Sequence, residues 1–136
     1  MLGAGGAGRA AALRLASENA ELFLFNRTQN KAEEIAAEIK KQFPAAQITV
    51  GYPKTAIDLV INATSLGLKA GDASPLDEKE VPLKQTRAVY DMIYRPAETA
   101  LIRAAKAAGI KAANGLACCC IRARRRLRFG RASPRR

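Results

Sequence analysis

The sequence has no histidine and no tryptophan, and its three cysteines stand side by side as Cys118-Cys119-Cys120. Without a CxxC pair or any imidazole there is no zinc-ligand spacing, so no metal is expected. Three adjacent thiols do not make a disulfide framework either, and they suit a reducing cytosol. Long apolar runs are missing too: none approaches the roughly 20 residues of a membrane span. Nor does the N-terminus show a basic stretch followed by a long apolar core, the mark of a secretory signal. Together these absences predict a cytoplasmic chain with no membrane partner.

Acid is scarce at one end only. Asp and Glu number 12 against 23 Lys and Arg, for a net charge of +11. Residues 121–136 hold eight arginines and no acid, which leaves +3 for residues 1–120. The basicity therefore belongs to a tail. Phe129 is its one aromatic, so it lacks the basic–aromatic interleaving of nucleic-acid readers and predicts no specific nucleic-acid partner. Nonspecific polyanion binding that weakens steeply with salt is the competing, non-enzymatic reading. With little apolar surface to offset the entropy of ordering, residues 118–136 are expected to be disordered.

A length of 136 residues at 49% hydrophobic content predicts one domain with a single core. Its first stretch organises the rest. Leu2-Gly3-Ala4-Gly5-Gly6-Ala7-Gly8-Arg9 reads G-x-G-x-x-G over Gly3, Gly5 and Gly8, and an alanine-rich helical run, Ala10 to Ala16, follows. Gly3 permits a tight strand-to-helix turn, Gly5 lets the backbone approach a pyrophosphate, and Gly8 lets the helix lie close on the sheet. The helix N-terminus offers free N–H groups and partial positive charge to phosphates. Only Met1 and Leu2 precede Gly3, whereas a strand usually needs about five or six residues. The first strand is therefore expected to be truncated, and the chain to be a fragment that begins inside a domain.

Beyond this turn, strand and helix patterns alternate. Glu21 to Phe25 is a short apolar run suited to a buried strand, ended by Asn26-Arg27-Thr28. Ala32, Ile35, Ala36, Ile39 and Phe43 share one helical face, and Pro44 stops that helix. Ile48 and Val50, Asp58 to Asn62, Ala88 to Asp91, and Ile110 to Ala112 mark further strands, while residues 68–87 read mainly as a surface connection. Pro96 fits the first position of a helix that buries Leu101, Ile102 and Ala105 and is capped by Gly109. This order predicts an α/β, doubly wound, mostly parallel sheet.

In such sheets ligands bind at the carboxyl ends of the strands, which brings Gly3–Gly8, Asn26–Lys31 and Asn62–Gly67 together. An NAD-selective domain places Asp or Glu about 20 residues past the glycines, to hold the ribose 2′-OH. Here the position holds Asn26 and Arg27. A guanidinium can grip a 2′-phosphate through charge-assisted bonds, whereas a carboxylate would repel it. Lys31, four residues on, returns to the same side, and Thr28 can cap the helix or bond the phosphate. NADP is thus the expected cofactor, against the plainer reading of Arg27 and Lys31 as solvated charges. Asn62-Ala63-Thr64-Ser65 can meet the nicotinamide side of a dinucleotide or cap a helix. Asn62-x-Thr64 also fits a glycosylation sequon, which nothing secretory supports. Tyr94 reads equally well as a phenol at the cleft or a packed aromatic.

The ordered set L-G-A-G-G-A-G-R-A, N-R-T-x-x-K, D-L-V-I-N-A-T-S-x-G and Y-D-M-I-Y-x-P, followed by A-A-x-x-A-G and N-G-L-A, resembles shikimate dehydrogenase. The resemblance covers residues 1 to about 117 and implies a Rossmann-like NADP-binding domain. It implies NADP(H)-dependent reduction of 3-dehydroshikimate to shikimate. Cofactor contacts would fall at Gly3, Ala4, Gly5, Gly6 and Ala7, and at Asn26, Arg27, Thr28 and Lys31. Ala63 and Thr64 would lie near the nicotinamide, Met92 and Gly115 against the cofactor, and Tyr94 toward the substrate. In the family a separate N-terminal domain binds substrate and supplies a catalytic Lys–Asp pair; the resemblance does not extend to that domain, so it is expected to be absent from this chain, and no catalytic residue is expected in it. After Ala117 the sequence also departs from the family's Met-Leu run and substrate-contacting Gln, with Arg122 near the place of that Gln. The departure resembles a shift of reading frame. Quinate/shikimate dehydrogenase is similar, but Arg27 favours NADP over NAD. Glutamyl-tRNA reductase shares an N-R-T-like turn but not Y-D-M-I-Y-x-P.

Overall fold

The computed structural model of the chain describes residues 1–116, so the expectations for the tail fall outside the described residues. The described residues form, in chain order, α1 (Gly6–Ser17), β1 (Leu22–Leu24), α2 (Gln29–Gln42), β2 (Ile48–Val50), β3 (Ile57–Asn62), β4 (Thr86–Asp91), α3 (Ala100–Ala107) and β5 (Lys111–Asn114). α2 forms because Ala32, Ile35, Ala36 and Ile39 make one buried stripe. It stops at Phe43, which precedes Pro44 and takes up φ −130° outside the helical region. α3 ends where Gly109 adopts φ +72°, a left-handed conformation that glycine tolerates. The Gly109 and Ile110 N–H groups then close back on the Lys106 and Ala105 carbonyls.

Strands pair in parallel as β1–β2 and as β3–β4–β5. Leu2 joins the two groups, bridging Phe25 on one side and Asn62 on the other. The sheet therefore runs β2-β1-Leu2-β3-β4-β5, outward in both directions from Leu2. Right-handed crossovers on such an order send α1 and α2 to one face and α3 to the other. Two apolar clusters follow that division. Ala12, Ala16, Leu24, Ile35 and Ile39 pack in one, and Leu2, Val60, Val89, Leu101 and Ala105 in the other. The doubly wound, parallel α/β expectation holds.

Two local expectations do not. Residues 68–87 are more than a surface connection: Leu76, Val81 and Leu83 are buried in the second cluster, and a 3-10 turn at Leu83–Gln85 leads into β4. Those three apolar residues follow neither a helical nor an alternating period, so pattern alone hides them. Pro96 does not open α3. The helix begins at Ala100 with Thr99 as its cap, whose hydroxyl accepts from the Ile102 N–H, and this local capping bond fixes the start downstream of the proline.

On the N-terminal side of Leu2, no strand among the described residues lies between β1 and β3. A cavity of about 340 Å³ lies there, walled by Leu22, Phe23, Ile57 and Leu59 among others, and Leu59 is left 42% exposed. The Met1 amino group sits at its edge and donates to the Phe23 carbonyl. Burial lowers its pKa from 8.0 to about 6. Across that window the unfolded chain holds a proton that the folded chain does not, so stability rises from pH 6 to 8 and falls as pH drops, by about 2–3 kcal/mol. Adding about five apolar residues ahead of Met1 should fill the cavity, raise the melting temperature by more than about 5 °C and abolish that pH dependence. Thermal melts of both chains across this pH range check it; an extended chain that melts no higher contradicts it.

Candidate functional site

The carboxyl ends of the strands carry a cleft of about 760 Å³. Its floor is the glycine turn. Gly3 has φ +100°, and a Cβ there would lie 2.8 Å from the Ala63 carbonyl carbon. At Gly8 a Cβ would fall 2.2 Å from the Gly3 oxygen, so these two positions admit only glycine, each for a close backbone approach of its own. Gly5 and Gly6 differ: a Cβ at either meets nothing within 4 Å. Among the described residues the fold leaves both bare and open. α1 starts at Gly6, capped only by the backbone of Gly5, and its first N–H groups face this space without intrahelical acceptors.

The second wall comes from Asn26, Arg27, Thr28 and Lys31. The Asn26 side-chain oxygen accepts from the Ala4 N–H at 3.0 Å, and its amide donates to the Thr28 carbonyl at 2.8 Å. Asn26 thus ties the glycine turn to the start of α2, a scaffold role that its sequence position did not disclose. Thr28 takes the cap position of α2, but its hydroxyl makes no capping bond. Arg27 and Lys31 are exposed and belong to none of the salt bridges among the described residues.

Ala63, Thr64, Ser65 and Leu66 make the third wall, and Met92, Ile93, Tyr94 and Arg95 the fourth. Asn62 beneath them is fully buried, which rules out the sequon as a glycan acceptor. Tyr94 is 50% exposed, so it is a phenol at the cleft and not a packed aromatic. Gly115 stands apart from the cleft wall: a Cβ there would lie 2.1 Å from the Met92 carbonyl oxygen, so it acts by letting two backbones touch. Arg95 was missed in the sequence, although it sits inside the Tyr94–Pro96 motif. With it, three cations and no carboxylate line the cleft among the described residues. The arrangement can hold a multiply charged anion in an extended pose.

No protein-family model matches the chain. Individual proteins do. A shikimate dehydrogenase (NADP(+)) of Methanocella arvoryzae is 40% identical over 119 residues, 85% of this chain and 44% of that protein. A shikimate 5-dehydrogenase of Thermus thermophilus, solved with NADP(H) and shikimate, matches at TM-score 0.67 and 38% identity, over 85% of this chain and 41% of that one. Over that matched stretch the chain is similar to shikimate dehydrogenases. A ligand-free 5-ketofructose reductase of a Gluconobacter species matches as well, at TM-score 0.73 and 37% identity over 85% of this chain and 43% of that one. The chain spans less than half the length of these shikimate dehydrogenases.

The glycine turn separates stability from binding. Gly8→Ala should lower the melting temperature by several degrees, because backbone must move to admit the Cβ, a strain of about 1–3 kcal/mol. Gly5→Ala should leave it almost unchanged. Calorimetry on the two variants checks this; equal melting temperatures would contradict the assigned roles.

Proposed function

We propose that this chain is the NADP(H)-binding domain of a cytoplasmic shikimate dehydrogenase-like oxidoreductase, whose reaction is the reversible NADPH-dependent reduction of 3-dehydroshikimate to shikimate. The observation that carries the reading is the cleft itself: an open glycine cradle flanked by Arg27 and Lys31, with no carboxylate among the described residues that wall it. The dinucleotide fits that set. The N–H groups of Gly5, Gly6 and Ala7 hold the pyrophosphate, and Arg27, with Lys31 beside it, holds the 2′-phosphate. Asn26 keeps these two groups in register by bonding both loops. Ala63, Thr64 and Met92 wall the nicotinamide end, Gly115 supports Met92 from behind, and Tyr94 reaches toward the substrate. When bound, the cofactor supplies hydride for a ketone carbon.

The relatives named as NADP-dependent shikimate dehydrogenases support the substrate assignment. Substrate binding and the proton-transferring Lys–Asp pair are assigned to a further domain of the kind that the resemblance implies, so the present residues bind and orient the cofactor but do not complete the reaction. No helix among the described residues is long and apolar enough to cross a membrane.

Arg27→Ala should weaken NADPH by about 1.5–3 kcal/mol, the scale of a hydrogen bond to a charged group, and leave NADH nearly unchanged. Fluorescence titration measures both; equal affinities for the two cofactors in the unaltered chain would remove the assignment. The purified chain alone should show no turnover of 3-dehydroshikimate. Turnover absent from a mock preparation and unchanged by Tyr94→Phe would show that no further domain is needed.

A further inference from the structure

Asp91, at the end of β4, is a carboxylate with no solvent exposure, and neither core packing nor direct cofactor contact accounts for it. Its Oδ1 accepts from the Asn62 side-chain amide at 3.0 Å and from the Ile93 N–H at 3.0 Å. Its Oδ2 accepts from the Thr99 hydroxyl at 2.6 Å. All three partners are neutral, and Asp91 belongs to none of the salt bridges among the described residues. A buried charge of this kind persists only when donors replace the lost water, and the three donors converge to do so.

The consequence falls on Asn62. A side-chain amide can turn over and exchange its donor and acceptor ends. A carboxylate accepts only, so Asp91 permits one orientation: the amide nitrogen must face it. The Asn62 side-chain oxygen is thereby turned toward the loop, where it accepts from the Thr64 N–H at 2.9 Å and from the Thr64 hydroxyl at 2.7 Å. Thr64 Oγ1 accepts in turn from the Leu66 N–H at 3.1 Å. The Asn62 amide nitrogen also donates to the Leu66 carbonyl at 3.2 Å, so Asp91 from the interior and Leu66 from the loop hold the amide that shapes the third wall, and through the Ile93 N–H Asp91 pins the start of the fourth.

We infer that Asp91 is a positioning residue: by fixing the Asn62 amide it sets the Ala63–Leu66 loop that receives the nicotinamide end of the dinucleotide. The inference rests on the dinucleotide reading above, and its structural half is testable without ligand.

The test uses the full chain, its Asp91→Ala and Asp91→Asn variants, and two probes. NADPH has a nicotinamide; adenosine 2′,5′-bisphosphate carries the 2′-phosphate without one. Asp91→Ala should weaken NADPH about ten-fold, abolish the nicotinamide fluorescence change on binding, and alter the bisphosphate affinity by less than about two-fold. Asp91→Asn keeps an acceptor for Asn62 and Ile93 and should restore most NADPH affinity and the fluorescence change. Equal losses for both probes, or no loss for NADPH, would overturn the inference. NMR of the ligand-free, unaltered chain gives the second readout: the Asn62 side-chain amide protons should exchange slowly. Rapid exchange overturns the inference even if Asp91→Ala does not fold. If the unaltered chain binds neither probe, the dinucleotide reading fails by itself, and a protected Asn62 amide still supports the clamp.

Discussion

The backbone of Leu2 and its immediate neighbours holds this fold together. The Leu2 N–H donates to the Ile61 carbonyl, and the Ala63 N–H returns to the Leu2 carbonyl, both at 2.8 Å. On the other side the Gly3 N–H donates to the Phe25 carbonyl and the Phe25 N–H to the Met1 carbonyl. These bonds are the ladder that ties β1–β2 to β3–β4–β5. They also place the glycine turn at the point where strand order reverses, the crevice that open α/β sheets use for ligands. Position of the turn, closeness of α1 and alignment of the cleft walls all follow from this short bridge.

Charge then decides what the crevice suits. Exposed surface pairs of the domain, such as Arg14 with Glu18 and Arg87 with Asp58, contribute little to stability. The cations at the cleft have no such partners among the described residues, and no acid faces them. Unpaired positive charge beside a helix N-terminus costs least when an anion occupies the space between. The interior of the same walls shows the opposite arrangement, a carboxylate in Asp91 satisfied by neutral donors. Cations line the cleft, and the carboxylate lies buried beneath it.

Much of this was legible in the sequence, for identifiable reasons. Glycine spacing is set by steric contacts, so Gly3 and Gly8 could be placed before their clashes were measured. The α2 stripe shows because 3.6-residue periodicity is local. What stayed hidden depends on tertiary partners. Leu76, Val81 and Leu83 reach the core from a segment without period, and the start of α3 was decided by a Thr99 cap bond that competes with the proline signal. The scaffold role of Asn26 could not be seen, because the same residue type in the same loop also serves as a ligand group. Arg95 was overlooked beside a proline taken for a helix start.

The most direct test is a backbone-amide NMR titration of the chain with NADP⁺. Saturable shifts confined to Gly5, Gly6 and Ala7, to Arg27 and Lys31, and to the Ala63–Thr64 and Met92 segments are the expected result. Absence of saturable binding, or shifts centred away from the glycine turn, would contradict the assignment of this cleft to the dinucleotide.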